Sequence, residues 1–191
     1  MASEAAELYG NTYILEIMRS KSKVLILVLL SISTIIIDSC ECFFSDEKLT
    51  IQRKDYSGDE LKTGGYYTNN YYDYGTFLYR NGIVMKIPGK ENNYAEDRFL
   101  DEDLIKHVKR YKDYWAVFEI NNDNIIIQGW GPGDGSLTNG LPVITQYGKI
   151  LNDTTFVLTK HEKGGKTTDI NHVYSFHEFS PKPDSTNHFI K

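Results

Sequence analysis

The side chains in this sequence with chemistry to offer are two cysteines, five histidines and 26 acidic residues, and their spacing limits what each can do. Cys40 and Cys42 lie near the start and no cysteine follows, so the rest of the chain has no disulfide and no cysteine-based metal set. His161-Glu162 lacks the second histidine at helical spacing that a zinc protease needs. His172 and His177 stand five apart, which on one strand turns them to opposite faces and denies them a shared metal. Gly165-Lys166-Thr167 has the ending of a phosphate loop, but the first glycine of that pattern would fall at Lys160. The segment also joins two strand-like runs, whereas a phosphate loop opens a helix, so a β-turn is expected there. Asp134, inside the run GPGDGS at 131–136, lacks the evenly spaced acids of a calcium loop. The other carboxylates are expected as solvated surface charges. No catalytic residue, metal or cofactor is predicted. A net charge of −5 argues against nucleic acid, which demands a basic face.

What remains is binding chemistry. Trp115, Trp130 and the loop holding Asp134 are the candidate ligand contacts, because aromatic rings near a barrel mouth give contact area at low entropy cost. The six tyrosines between 66 and 79 are expected as outward-facing strand residues.

The compartment is set by residues 21–42, KSKVLILVLLSISTIIIDSCEC. Arg19, Lys21 and Lys23 form a basic patch ahead of 14 uncharged residues, 24–37, that end at Asp38. A spanning helix needs roughly 20 apolar residues, so this run suits a signal-peptide core instead. Ile37-Asp38-Ser39-Cys40 resembles the lipobox of bacterial lipoproteins, with Asp38 departing from the usual small residue. By that resemblance Cys40 is the lipid-bearing first residue of the mature chain, and acyl chains at ~0.8 kcal/mol per buried methylene hold it to a membrane. Residues 1–17 carry Glu4, Glu7 and Glu16 and no base, whereas Met18 opens MRSKSK, so translation is expected to start at Met18. The predicted organisation is therefore an extension at 1–17, a signal peptide at 18–39, a lipidated tether at 40–65, a barrel domain at 66–180 and a tail at 181–191. Loss of residues 1–39 removes four acids and three bases and leaves a charge of −4.

The elements that must position any site are mostly strands. Asn81-Gly82 separates FLYR from IVMKI and predicts a type I′ hairpin, with the first strand running from 71 to 79. Leu104, Ile105, Val108 and Tyr111 recur at helical spacing, with acids at 101–103 and bases at 109, 110 and 112 matching the two ends of a helix dipole. YWAVFEI at 114–120 and NIIIQGW at 124–130 flank another hairpin, and LPVITQYGKIL, TTFVLTKHEK and HVYSFHEF follow as further strands. Six to eight antiparallel strands with one short inserted helix predict a small meander β-barrel, preceded by a signal-peptide helix.

The pieces FLYRNGIVM, YWAVFEINNDNIIIQGW, LNDTTFVLT and FHEFSPKPDSTN resemble small Bacteroidetes lipoproteins, lipocalin-like in outline. Ser45-Asp46-Glu47, soon after Cys40, resembles their surface-export signals. The resemblance implies an envelope address at the outer membrane, periplasmic or surface-facing, and carries over no active site. The function expected is non-catalytic binding of a small apolar ligand or a protein partner. The alternative is an extracytoplasmic hydrolase with Asp, Glu and His on barrel loops.

Overall fold

The computed structural model describes residues 46–89, 96–132 and 140–191. Cys40, the signal-like run ahead of it and Asp134 lie outside the described residues. Eight strands run in chain order: β1 (Gly65–Asn69), β2 (Tyr74–Leu78), β3 (Ile83–Pro88), β4 (Trp115–Asn121), β5 (Asn124–Trp130), β6 (Val143–Asn152), β7 (Thr155–Lys163) and β8 (Lys166–Glu178). Each pairs antiparallel with the next, and β8 returns to β1 with Tyr67 opposite Phe176, which closes the barrel. Among the described residues the one α-helix, α1 (Glu102–Arg110), lies between β3 and β4. The described residues are thus mainly β, with the closed antiparallel barrel and one short inserted helix that the sequence predicts, and the expected signal-peptide helix lies outside them.

The turns explain both the agreement and the exceptions. Gly82 has φ of 78° while Asn81 stays at negative φ, so the β2–β3 turn is not type I′. Tyr79 N–H donates to Ile83 O at 2.9 Å and Gly82 N–H to Tyr79 O at 2.9 Å, the pattern of a three-residue loop ending in a left-handed glycine. The type I′ requirement is met instead at Gly164-Gly165, both at positive φ, where Lys163 pairs with Lys166 across a two-residue loop. Gly165-Lys166-Thr167 therefore opens a strand. The tyrosine-rich run also differs from expectation. It divides into β1 and β2, because Asn69 Oδ1 accepts from the Tyr71 and Tyr72 N–H groups at 2.7 and 2.6 Å and turns the chain between them.

Strand alternation gives the wall two apolar faces. Inward, Tyr67, Leu78, Val84, Phe118, Ile127 and Leu158 meet with Leu61 in one cluster. Outward, Tyr66, Phe77, Met85, Trp115 and Val117 pack with Phe99 and with Val108 of α1. Burying a side chain of this size contributes about 1.5–3 kcal/mol. Residues 46–64, expected as part of a tether, lie against the barrel instead. Gln128 Oε1 accepts from the Thr50 and Ile51 N–H groups at 2.7 and 2.8 Å, and Leu61 is only 1% exposed. The tail is tied down as well, with Lys182 Nζ donating to Thr63 O at 2.6 Å and Leu78 O at 2.7 Å.

Candidate functional site

The inner apolar cluster fills only one end of the barrel. That end carries the β2–β3, β4–β5 and β6–β7 turns, and Leu61 with Tyr56 packs into it against Phe118. Towards the other end the interior opens into a lumen of about 370 Å³. Its walls come from seven strands: Asn69 of β1, Tyr74 and Thr76 of β2, Lys86 of β3, Trp130 at the end of β5, Ile144 and Gln146 of β6, His161 and Lys163 of β7 and Tyr174 of β8. Tyr72, Asp113 and Tyr114 approach from the connections at the mouth.

The register fixes which groups form the floor. Leu78 faces Val84 across β2 and β3, and one step towards the mouth Thr76 faces Lys86. Gln146 faces His161 across β6 and β7. A ring of polar side chains thus sits directly on the packed apolar end. His161 belongs to that ring because of a bulge. Phe156 and Leu158 point inward, and strict alternation would send Lys160 and Glu162 inward after them. Against β6 the consecutive residues Gly148 and Tyr147 pair with Leu158 and Lys160, which makes Thr159 an extra residue on β7, and the register with β8 shifts at the same point, where Ile170 and Asn171 lie opposite Thr159. His161 and Lys163 then face the lumen, while Glu162 accepts a hydrogen bond from Tyr147 Oη at 3.0 Å.

The lumen has an electrostatic character opposite to that of the chain as a whole. Among the described residues Lys86 and Lys163 line it with one carboxylate, Asp113. Lys86 is half-buried where it lines the lumen, and burial pushes its ammonium below its ordinary pKa, against the pull of Asp113. Among the described residues no side chain or carbonyl bonds the Lys86 ammonium, and Asp113 attracts it without forming an ion pair. His161 is lowered by burial, then by Lys163 and Lys86. His172, opposite Leu158 across β7 and β8, is lowered by burial and then by His161. It is 6% exposed, its ring stacks on Tyr71 at 4.7 Å, and its Nδ1 has no hydrogen-bond partner among the described residues. His177 looks the other way, stacked at 5.0 Å on Tyr66 of the outer face.

The two tryptophans expected as ligand contacts are placed differently from each other. Trp115 turns away from the lumen, because its neighbour Ala116 takes the inward position on β4. It is fully buried under α1, with Nε1 donating to Val108 O at 3.0 Å. Trp130 borders the lumen at its rim, but its indole belongs to the outer cluster and donates from Nε1 to Glu47 O at 2.7 Å. The residues that face the lumen's centre, Lys86 and His161, carried no sequence signal beyond their place in alternating strands, and for His161 the bulge inverts even that.

The molecule is thus an eight-stranded up-and-down barrel with a lumen open at one end. Comparison with known proteins finds no matching family model, no similar curated sequence and no similar solved structure.

Proposed function

We propose that this is a non-catalytic binding protein that holds a small molecule in the barrel lumen, tethered in the bacterial cell envelope through lipid on Cys40. The observation that carries the binding reading is the lumen itself, about 370 Å³ above a sealed apolar floor. Ligand sites are concave, partly apolar and supplied with a few convergent polar groups, and their volumes start near ~300 Å³. Tyr72, Tyr74, Tyr114 and Ile144 offer flat or aliphatic surface near the mouth, and Lys86, His161, Gln146 and Thr76 offer polar contacts below. A hydrolase would need a histidine and a carboxylate in hydrogen-bond reach. Among the described residues neither His161 nor His172 bonds a carboxylate, which favours binding over catalysis.

The address follows from the lipobox resemblance at residues 37–40. Titration of the purified protein with an environment-sensitive naphthylamine dye tests the lumen. One dye should bind per chain, and Thr76→Phe, which fills the lumen from β2, should abolish binding while leaving the circular dichroism spectrum unchanged. Dye binding that survives Thr76→Phe would place the ligand elsewhere. Labelling with a fatty-acid probe tests the anchor, and labelling that persists in Cys40→Ala would end that part of the proposal.

A further inference from the structure

Resting on the lumenal-binding reading, we infer that the lumen takes an amphiphile with a single oxyanion head, a carboxylate or phosphate ester seated on Lys86 at the floor, with the apolar remainder towards the mouth. Three observations converge on this. The first is the sign of the charge. The chain carries more acids than bases, yet among the described residues its lumen is lined by two lysines and one aspartate. The second is geometric: the half-buried Lys86 side chain lines the lumen, and its ammonium has no hydrogen-bond or ion-pair partner among the described residues. An unpaired ammonium in a low-dielectric interior is strongly unfavourable, and an anion brought to it relieves that penalty, which a neutral ligand cannot do. The third is the company Lys86 keeps. Thr76 faces it directly across β2 and β3, and Gln146 and His161, side by side on the adjacent strands β6 and β7, line the same lumen, so a head group at the floor has several hydrogen-bond donors around it.

The orientation follows from the layering. Below the polar ring Leu78, Val84 and Leu158 close the barrel, leaving no path deeper for an acyl or aromatic body. Above it Tyr72, Tyr74, Tyr114 and Ile144 provide that surface. The head therefore enters first. Lys163, at the rim, adds its charge to the entrance and draws anions towards it.

The test uses competition of octanoate, octyl phosphate and octanamide against the naphthylamine dye, on the wild-type chain and on Lys86→Met, with Lys149→Met as an exposed-lysine control. At least one anion should bind about tenfold or more tightly than octanamide, consistent with a desolvated charge pair. That preference should collapse in Lys86→Met, stay in Lys149→Met, and leave octanamide affinity within about threefold in both. Whichever anion binds more tightly distinguishes a carboxylate from a phosphate. Equal affinity for all three probes, displacement by none of them while the dye still binds, or an anion preference that survives Lys86→Met would each overturn the oxyanion site and leave lumenal binding standing. Failure of the dye itself to bind would overturn lumenal binding, and the oxyanion site with it.

Discussion

The Lys112 ammonium lies 4.1 Å from the centroid of the Trp130 ring while holding Asp46 Oδ2 at 3.0 Å. The same indole donates to Glu47 O at 2.7 Å. Trp130 is therefore a clasp for the first described residues of the chain, joining them to the rim of the barrel from outside. Asp46 is held below the ordinary carboxylate pKa although burial alone would raise it, because Leu141 N–H and Lys112 outweigh burial.

This clasp gives the first prediction. Trp130→Phe removes the indole donor and leaves Glu47 O unpaired, and is expected to cost about 1–2 kcal/mol in urea unfolding. Lys112→Met is expected to cost about 0.5–1 kcal/mol, since the ion pair is partly solvated. Because both act on one contact, the double variant should lose less than the two single losses together, by about 0.5 kcal/mol or more. Strict additivity would show that ring and ammonium do not act on each other.

The second prediction concerns acid. Asp184 accepts from Lys109 Nζ at 2.7 Å and from the Thr186 hydroxyl, and these bonds, outweighing burial, lower its pKa to about 2. Unfolded, the group titrates near ~3.9, so between those values the unfolded chain binds more protons. Its contribution is fully present above about pH 4 and is lost as pH falls towards 2. Asp184→Asn should therefore have a shallower loss of stability between pH 4 and 2 than the wild type. Parallel curves would mean that the bond does not persist in solution. The group is largely exposed, so the difference is expected to be small.

The third prediction tests the helix. Asp101 Oδ1 accepts from the N–H groups of Asp103 at 2.9 Å and Leu104 at 3.0 Å, capping α1. Asp101→Ala should cost about 1 kcal/mol and raise amide exchange over the first turn, and Asp101→Ser should restore most of it. Unchanged exchange in Asp101→Ala would show that packing of Val108 and Trp115 alone orders this helix.

The helix and its cap could be read from the sequence because their signals are local: apolar spacing, acids at one end and bases at the other. The same holds for β4 to β7, where turn residues separate long alternating runs, and for β8 from His172 onward, whereas its first residues, 166–171, fall outside the run HVYSFHEF. β1 was not legible. Gly65, Tyr66 and Tyr67 become a strand through pairing with Glu178, His177 and Phe176 respectively, more than 100 positions away, and no local pattern announces such a pairing. The lumen was legible only as an expectation of a barrel interior. Trp115 and Trp130 are the conspicuous residues, yet parity turns both indoles outward, and the one-residue bulge at Thr159 exchanges Lys160 and Glu162 for His161 and Lys163 as lumen residues. A single inserted residue thus decides the chemistry of the site, and alternation counted from Phe156 points to the wrong side chains.

The fourth prediction concerns Lys86 without any ligand. Its ammonium is partly desolvated and unbonded among the described residues, so the folded chain carries a penalty for keeping it protonated. Its pKa is lowered on folding, so from the folded value up to the unfolded one, ~10.4, the unfolded chain binds more protons. Its penalty is therefore greatest at low pH and fades as pH rises. Lys86→Met, of similar length and without charge, is expected to be more stable than the wild type by about 1–3 kcal/mol at neutral pH. The gap should narrow as pH increases towards 10. Tyr67 and Tyr79, both raised by burial, act in the opposite sense above pH ~10, but they are common to both proteins and cancel in the difference. Denaturant unfolding at pH 6, 8 and 9.5 measures that gap. A Lys86→Met chain less stable than the wild type at every pH would mean that the ammonium is already satisfied in the empty lumen, and would remove the physical reason for an anion to bind there.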